Sequence, residues 1–274
     1  MTLRLPRGRS LGFGRVPLVM GIVNVTPDSF SDGGVHQDRD VAVEAALRMA
    51  ADGAAIVDVG GESTRPGSDA VSVDVELERV LPVIEAIRKR SDVAISIDTT
   101  KARVAEAALD AGADIVNDVT ALRGDPAMPA LVAQRNVPAV LMHMRGAPKT
   151  MQHDIRFDDV VRDVARELTE FRDAAAAAGV AQIVVDPGIG FGKTAEHNLQ
   201  LLARAHELTN IAPLMIGASR KAFLGRLTGR EAGPDRMAGS LATVCAAARA
   251  GAAIVRVHDV RETVDFLKVM DAIR

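Results

Sequence analysis

The stretch Ile183-Val-Val-Asp-Pro-Gly-Ile-Gly-Phe-Gly-Lys193 sets three β-branched residues before a carboxylate, then alternates three glycines around one phenylalanine. The first part reads as a buried strand with Asp186 at its carboxyl end. Beyond it the glycines let backbone approach a bound molecule closely, while Phe191 is held outside any periodic segment. A P-loop is excluded, because Pro187 stands where G-x-x-x-x-G-K-[ST] requires its leading glycine and has no N–H to offer. The spacing is not G-x-G-x-x-G either. The same glycines also suit a tight strand-to-helix connection with no ligand, so the rest of the chain has to decide.

Working outward, short β-rich runs alternate with longer helical ones. Candidate strands are Leu18 to Val25, Ala55 to Val59, Ala94 to Asp98, Asp114 to Asp118, Ala139 to Met144, Ile183 to Asp186, Leu214 to Gly217 and Ile254 to His258. Helical periodicity or strong helix formers mark Val41 to Ala51, Val75 to Arg88, Phe157 to Ala178 and Val260 to Ile273. Asp38, Thr99 or Thr100, Asp125, Thr194 and Asp259 stand where N-caps belong, and Gly53, Gly112, Gly179 and Gly251 where helices end. Eight such units in a chain of 274 residues predict an α/β fold of the (β/α)8 TIM-barrel type, a single domain over residues 17–274. Residues 1–16 are expected to be an extension covering the barrel base. The competing architecture is a doubly wound sheet.

The composition, 48% apolar and 25% charged, is that of a globular core, and 33 basic against 36 acidic residues give a net charge of -3. That balance predicts no general attraction to nucleic acid or to an anionic membrane, so an anionic ligand must be held locally. The lone cysteine, Cys245, excludes an internal disulfide and argues against a cysteine metal site. Met1 to Arg15 holds no apolar run of signal-peptide length, no membrane span follows, and a cytoplasmic location is expected.

In a barrel of this type the site lies at the carboxyl ends of the strands. Those ends carry Asn24, Asp58, Asp98, Asn117, His143, Asp186, Gly217 leading to Ser219-Arg-Lys221, and Arg256 with His258. Asp98, Asn117 and Asp186 suit a flat ligand with several N–H donors, of the 2-amino-4-oxo heterocycle kind, since a carboxylate accepts two parallel N–H bonds from an amidine-like edge. Arg256 and His258, two apart in a strand, point the same way. They make either a compact anion site or a pair of structural groups, the Arg on a carboxylate and the His on a carbonyl. Asn24 on the adjoining strand favours a phosphate with bound magnesium. The loops Thr26 to Gly34 and Gly60 to Gly67 are rich in hydroxyls, glycine and proline, as lids and binding loops are.

With these motifs assembled, the chain resembles the dihydropteroate synthase family. The resemblance rests on Met20 to Gly34, Gly61 to Gly67, Ser96-Ile-Asp98, Asn117-Asp118, Leu141-Met-His-Met144, Asp186 to Lys193, Ser219-Arg-Lys221 and Arg256-Val-His258. It implies a magnesium-dependent transferase that condenses 6-hydroxymethyl-7,8-dihydropterin diphosphate with 4-aminobenzoate, and a homodimer. It further implies that Asp98, Asn117, Asp186, Gly217 and Lys221 hold the pterin, with Met142 and Arg256 on its faces. Asn24, Arg256 and His258 would hold the diphosphate, Asn24 also its metal. Phe30, Asp32, Thr64, Arg65, Pro66, Phe191 and Ser219 would form the aminobenzoate side. Asp98, Lys221, Arg256 and His258 are the implied catalytic residues. Where many members have Ser after the lysine this chain has Ala222, so backbone N–H groups there are expected to serve the aminobenzoate carboxylate. The alternative is a non-catalytic or methyl-transferring barrel that binds a pterin or methyltetrahydrofolate. It would share the carboxylate and amide contacts without needing Arg256 with His258.

Overall fold

In the computed structural model, which describes residues 1–26, 34–64, 67–146, 150–151 and 155–273, a short antiparallel hairpin, β1 (Thr2–Arg4) and β2 (Ser10–Gly12), precedes eight parallel strands. These are β3 (Leu18–Asn24), β4 (Ile56–Gly60), β5 (Ala94–Asp98), β6 (Ile115–Asp118), β7 (Ala139–Met142), β8 (Ile183–Asp186), β9 (Met215–Ile216) and β10 (Ile254–Val257). Being covered on both faces, they read as nearly continuous apolar runs. The order is β8-β7-β6-β5-β4-β3-β10-β9. A bridge between Val185 and Leu214, with the Val185 N–H donating to the Pro213 carbonyl at 2.9 Å, joins the two ends. A doubly wound sheet would leave those edges open, so the closed barrel is the architecture.

The helices α1 (Gly34–Ala51), α2 (Val73–Arg90), α3 (Ala102–Asp110), α4 (Met128–Arg135), α5 (Val160–Ala177), α6 (Ala195–Ala203), α7 (Ala222–Thr228), α8 (Met237–Ala250) and α9 (Val260–Ala272) surround the barrel. All four helix-ending glycines adopt positive φ. The N-cap expectations fare less evenly. Thr194 forms a full capping box with His197. Asp38 instead lies inside α1, and α3 starts from Lys101, whose N–H donates to Thr99 Oγ1. Asp125 does cap, but across elements: its Oδ2 accepts from Ala102 N–H at the start of α3, 2.9 Å away, while α4 starts from Ala127. Asp259 stands at the start of α9 and gives its carboxylate to Arg220 instead. Asp125 serves both ends, since its Oδ1 accepts from the local Ala127 N–H at 3.0 Å, whereas at Asp259 a tertiary donor wins over the local amide, a choice that local sequence does not encode.

Strand alternation fills the barrel in layers. Nearest the amino ends, Met20, Ile56, Ala94, Ile115, Val140, Val184, Met215 and Ile254 form one apolar cluster, and Leu3 and Leu5 pack on it. Two residues further along, the inward positions change character. They are Ile22, Asp58, Ser96, Asn117, Met142, Asp186, Gly217 and Arg256.

Candidate active site

That second layer is tied together by one fully buried carboxylate. Asp58 Oδ2 accepts from Asn117 Nδ2 at 3.0 Å and from Arg256 Nε at 2.6 Å, joining β4, β6 and β10 across the barrel. Arg256 continues to Asp98 Oδ2 at 2.8 Å on β5. The guanidinium is therefore paired with carboxylates, as one of the two sequence readings had it, and is aimed at the heterocycle layer. Burial pushes the Asp98 carboxyl up to about 7, with Asp58, Asp118 and Glu76 adding to the rise and Arg256 opposing it. Asp186 is raised by burial as well, against a 2.7 Å bond from Gly188 N–H and the charges of Lys221 and Arg256.

The layer holds more acceptor capacity than the protein fills. Among the described residues, buried Asp58 Oδ1 and the Ser96 hydroxyl have no hydrogen-bond partner. An unpaired buried acceptor costs about 1–3 kcal/mol, so the layer is short of donors.

The close approaches in the glycine loop are to protein atoms, as the tight-connection reading has it. Gly188 has φ +65, and a Cβ there would stand 2.0 Å from the His143 carbonyl; one at Gly190 would meet the Lys221 side chain at 3.1 Å. Lys221 in turn lies with Nζ 4.0 Å from the centre of the Phe191 ring. Phe191 packs beside the buried Val119, Met142, Met144 and Met151, which give the heterocycle layer an apolar flank. A Cβ at Gly217 would stand 3.6 Å from Asp186 Oδ2, in ordinary contact with it.

At the rim, the His258 N–H donates to Ser219 Oγ at 3.2 Å, and His258 Nδ1 lies 3.1 Å from the same oxygen. Besides that backbone bond the hydroxyl keeps one acceptor site and its own proton, so it serves either tautomer of the ring; where it donates to Nδ1, the ring proton lies on Nε2. Burial, together with Arg220 and Arg256, depresses the imidazolium to about 3, so the ring is neutral. A neutral ring with Nε2–H remains a donor to an anion. Thus His258 rests on a hydroxyl and not on a carbonyl, and Ser219 serves it directly. Asn24, half-buried, ends β3 opposite Gly60.

Not every expected residue joins the site. His143 turns outward to Glu167 on α5 and to Lys193. Thr64 is half-buried, while Phe30, Asp32, Arg65 and Pro66 lie outside the described residues. Ala222 opens α7, a helix of seven residues. Three groups went unassigned in the sequence: Asp58 as the central acceptor, Lys193 under the glycine loop, and Lys101 with Nζ between Glu62 and the buried Glu76, fastening the loop after β4. For Asp58 the signal existed, since Ile56, Asp58 and Gly60 alternate on one face of a strand.

A closed parallel barrel with an acceptor-rich layer above an apolar floor defines a class: a (β/α)8 enzyme that receives a donor-rich heterocycle at its carboxyl end. The model of the pterin binding enzyme family matches residues 20–258. The dihydropteroate synthase of Synechocystis sp. is 46% identical over 98% of this chain and 94% of its own length. Among solved structures, the Xanthomonas albilineans dihydropteroate synthase with 4-aminobenzoic acid is 48% identical, with a TM-score of 0.93, covering 100% of this chain and 98% of the other. The same enzyme in complex with 7,8-dihydropteroate gives 45% identity and a TM-score of 0.89, with the same coverage. The chain belongs to the pterin-binding enzyme family and, within it, to the dihydropteroate synthases.

Proposed function

We propose that this chain condenses 6-hydroxymethyl-7,8-dihydropterin diphosphate with 4-aminobenzoate, giving 7,8-dihydropteroate and pyrophosphate in folate biosynthesis. The observation that carries the reading is the convergence of Asp58, Asp98, Asn117 and Arg256, with Asp186 in the same layer, into a set with acceptors to spare. The pterin's amidine-like edge and ring N–H groups are the donors such a set lacks. Met142 and Arg256 lie against its faces, and Gly217 and Lys221 complete its edge.

An aromatic amine is a weak nucleophile, whereas an electron-rich dihydropterin delocalises positive charge from its exocyclic carbon. The C–O bond to the diphosphate therefore breaks first, and its electron pair leaves on pyrophosphate. Ionised Asp98 stabilises the cation, while Arg256 and the Nε2–H of His258 stabilise the departing anion. The amine nitrogen then bonds to carbon and loses its proton to solvent, with no protein base required. Phe191 and Thr64 face the aminobenzoate; the resemblance assigns Phe30, Asp32, Arg65 and Pro66 to the same substrate. Ser219 acts beside them through His258.

Magnesium is the proposed cofactor. Among the described residues no three His, Cys, Asp or Glu side chains converge on a metal position, so protein donors alone offer it little. That fits an ion which takes few protein oxygens and completes its shell with water and phosphate, with Asn24 the one protein ligand. When bound it neutralises diphosphate charge. We further propose a homodimer through the late helices, supported by exposed Leu227, Met237, Val269 and Ile273 on and just beyond α7–α9, and a cytoplasmic location, which suits a chain with one cysteine. Among the described residues no helix is long and apolar enough to cross a membrane.

Pyrophosphate release on mixing both substrates with magnesium tests the activity, and Asp186→Ala should abolish most of it. Positional isotope exchange in the bound diphosphate without aminobenzoate tests the order of steps. Its absence, with substrate still exchanging freely on and off the enzyme, would exclude early C–O cleavage.

A further inference from the structure

Beneath the glycine loop lies an ammonium group that the reaction as described does not use. Lys193 is 2% exposed, and its Nζ lies 3.0 Å from the Phe191 carbonyl, 3.1 Å from the Gly188 carbonyl, 3.3 Å from the His143 carbonyl and 3.0 Å from His143 Nδ1. Four acceptors surround three N–H bonds. A neutral amine would bring only two donors and would turn its lone pair toward a carbonyl or an imine nitrogen, so the charged form is the one this cage fits.

The cage is itself supported. Because His143 Nδ1 accepts from Lys193, its proton belongs on Nε2, which lies 3.0 Å from Glu167 Oε2 on α5. Arg145 grips the same carboxylate. Burial works against ionised Glu167, yet the bonds from His143 and Arg145 hold its carboxyl well below the usual range. None of this network belongs to the heterocycle layer. What it holds is the loop that does. Phe191 sits between Gly190 at φ +85 and Gly192 at φ +58, so its neighbours restrict its backbone little. Its carbonyl is fixed by Lys193 and its ring lies under Lys221.

Resting on the function proposed above, we infer that Lys193, seated by His143 and Glu167, is a positioning residue that presents Phe191 to the aminobenzoate. It does so through backbone carbonyls, without touching either substrate. The pterin side depends on it less, because Asp186 is held from its own strand, β8. The charged and titratable groups around the ammonium are His143 and Arg145 after β7, Glu167 on α5, Asp186 on β8, His197 on α6 and Lys221 before α7. Burial lowers the Lys193 ammonium to about 7, against the attraction of Asp186 and Glu167 and with help from Arg145 and Lys221. The clasp is therefore complete below neutrality and weakens as pH rises past it.

The experiment is steady-state kinetics on the magnesium-supplied full chain, wild type against Lys193→Met, with each substrate varied at about pH 6.5 and about pH 8.5. Loss of the clasp should raise KM for 4-aminobenzoate about tenfold at the lower pH, the scale of one or two hydrogen bonds, while kcat and KM for the pterin diphosphate stay within about threefold. The wild-type KM for aminobenzoate should climb between the two pH values, and that of the variant should not. If Lys193→Met does not fold, the His143 pair decides. His143→Asn keeps an acceptor near the Nδ1 position and should stay close to wild type, whereas His143→Leu, which leaves the three carbonyls but strips Glu167 of its ring donor, should show part of the aminobenzoate defect. An unchanged aminobenzoate KM in folded variants, or equal defects for both substrates, overturns the inference. A wild-type chain that makes no dihydropteroate overturns instead the function on which it rests.

Discussion

At the amino ends of the strands, Asp114 is fully buried and is met by three guanidinium groups, those of Arg7, Arg9 and Arg88, with the Ile95 N–H as a further donor at 3.0 Å. At the carboxyl ends, Asp58 and Asp98 share the single Arg256, with Asp186 in the same layer. The two clusters use the same chemistry in opposite proportion. Cations are in excess at the base, and their buried donors go to the carboxylate or to carbonyls such as those of Gly112 and Asp92. Acceptors are in excess at the mouth, one of them buried without a partner and one carboxyl pushed up to about 7. A saturated cluster fastens the hairpin and α2 to the barrel. An unsaturated one awaits a ligand.

The contrast is open to attack, most severely at Arg256. Arg256→Ala should reduce the rate of pyrophosphate release about a hundred- to a thousandfold in folded enzyme, the scale of removing a preorganised transition-state donor. A rate loss no greater than the loss of folded protein would make this arginine no different from those at the base. Next comes Asp114→Ala, for which denaturant titration should find a loss of about 3 kcal/mol, toward the low end for a broken buried pair because its arginines are partly exposed. The kcat of the folded fraction should stay near wild type. An activity defect without a stability defect would reverse the roles assigned to the two ends.

A smaller effect comes from protonation at the mouth. With its folded-state pKa raised above the unfolded value, Asp98 binds its proton more tightly when folded. The free protein should therefore lose stability as pH rises from about 4 toward 7. Ligand binding runs the other way, since pterin N–H donors need the ionised carboxylate. Calorimetric titration should show affinity for a pterin ligand rising through about pH 7, and Asp98→Asn should lack that step. Smallest of all is Arg9→Ala. Asp114 keeps Arg7 and Arg88, so thermal unfolding should reveal less than about 1 kcal/mol of destabilisation.

How much of this was legible in the sequence differs between fold and site. The strands show in the sequence because both of their faces are buried and their ends turn abruptly polar; each lies within two residues of its expected bounds. Helix starts were harder, since Asp259 looks like a local cap and was recruited by distant Arg220, and Asp125 divides its carboxylate between local Ala127 N–H and distant Ala102 N–H. Among site residues, Asn117, Asp186 and Arg256 occupy the second inward layer, and Asp98 stands two residues beyond Ser96 on the same face of β5. His143 has the same polar character at a strand end and faces α5, because it stands one residue beyond inward Met142.

By itself, then, the sequence determined the repeated unit, the end of the barrel that carries chemistry, and the acceptor-rich vocabulary found there, since a two-residue period and a polar strand end are local properties. Only the closed barrel decided which groups meet. Asp58 joins Asn117 and Arg256 across 59 and 198 residues of chain, and Lys193 reaches His143 across 50. Such partners are chosen when strands from distant parts of the chain are brought into register around one axis, where a buried charge must find whatever neighbour the packing supplies.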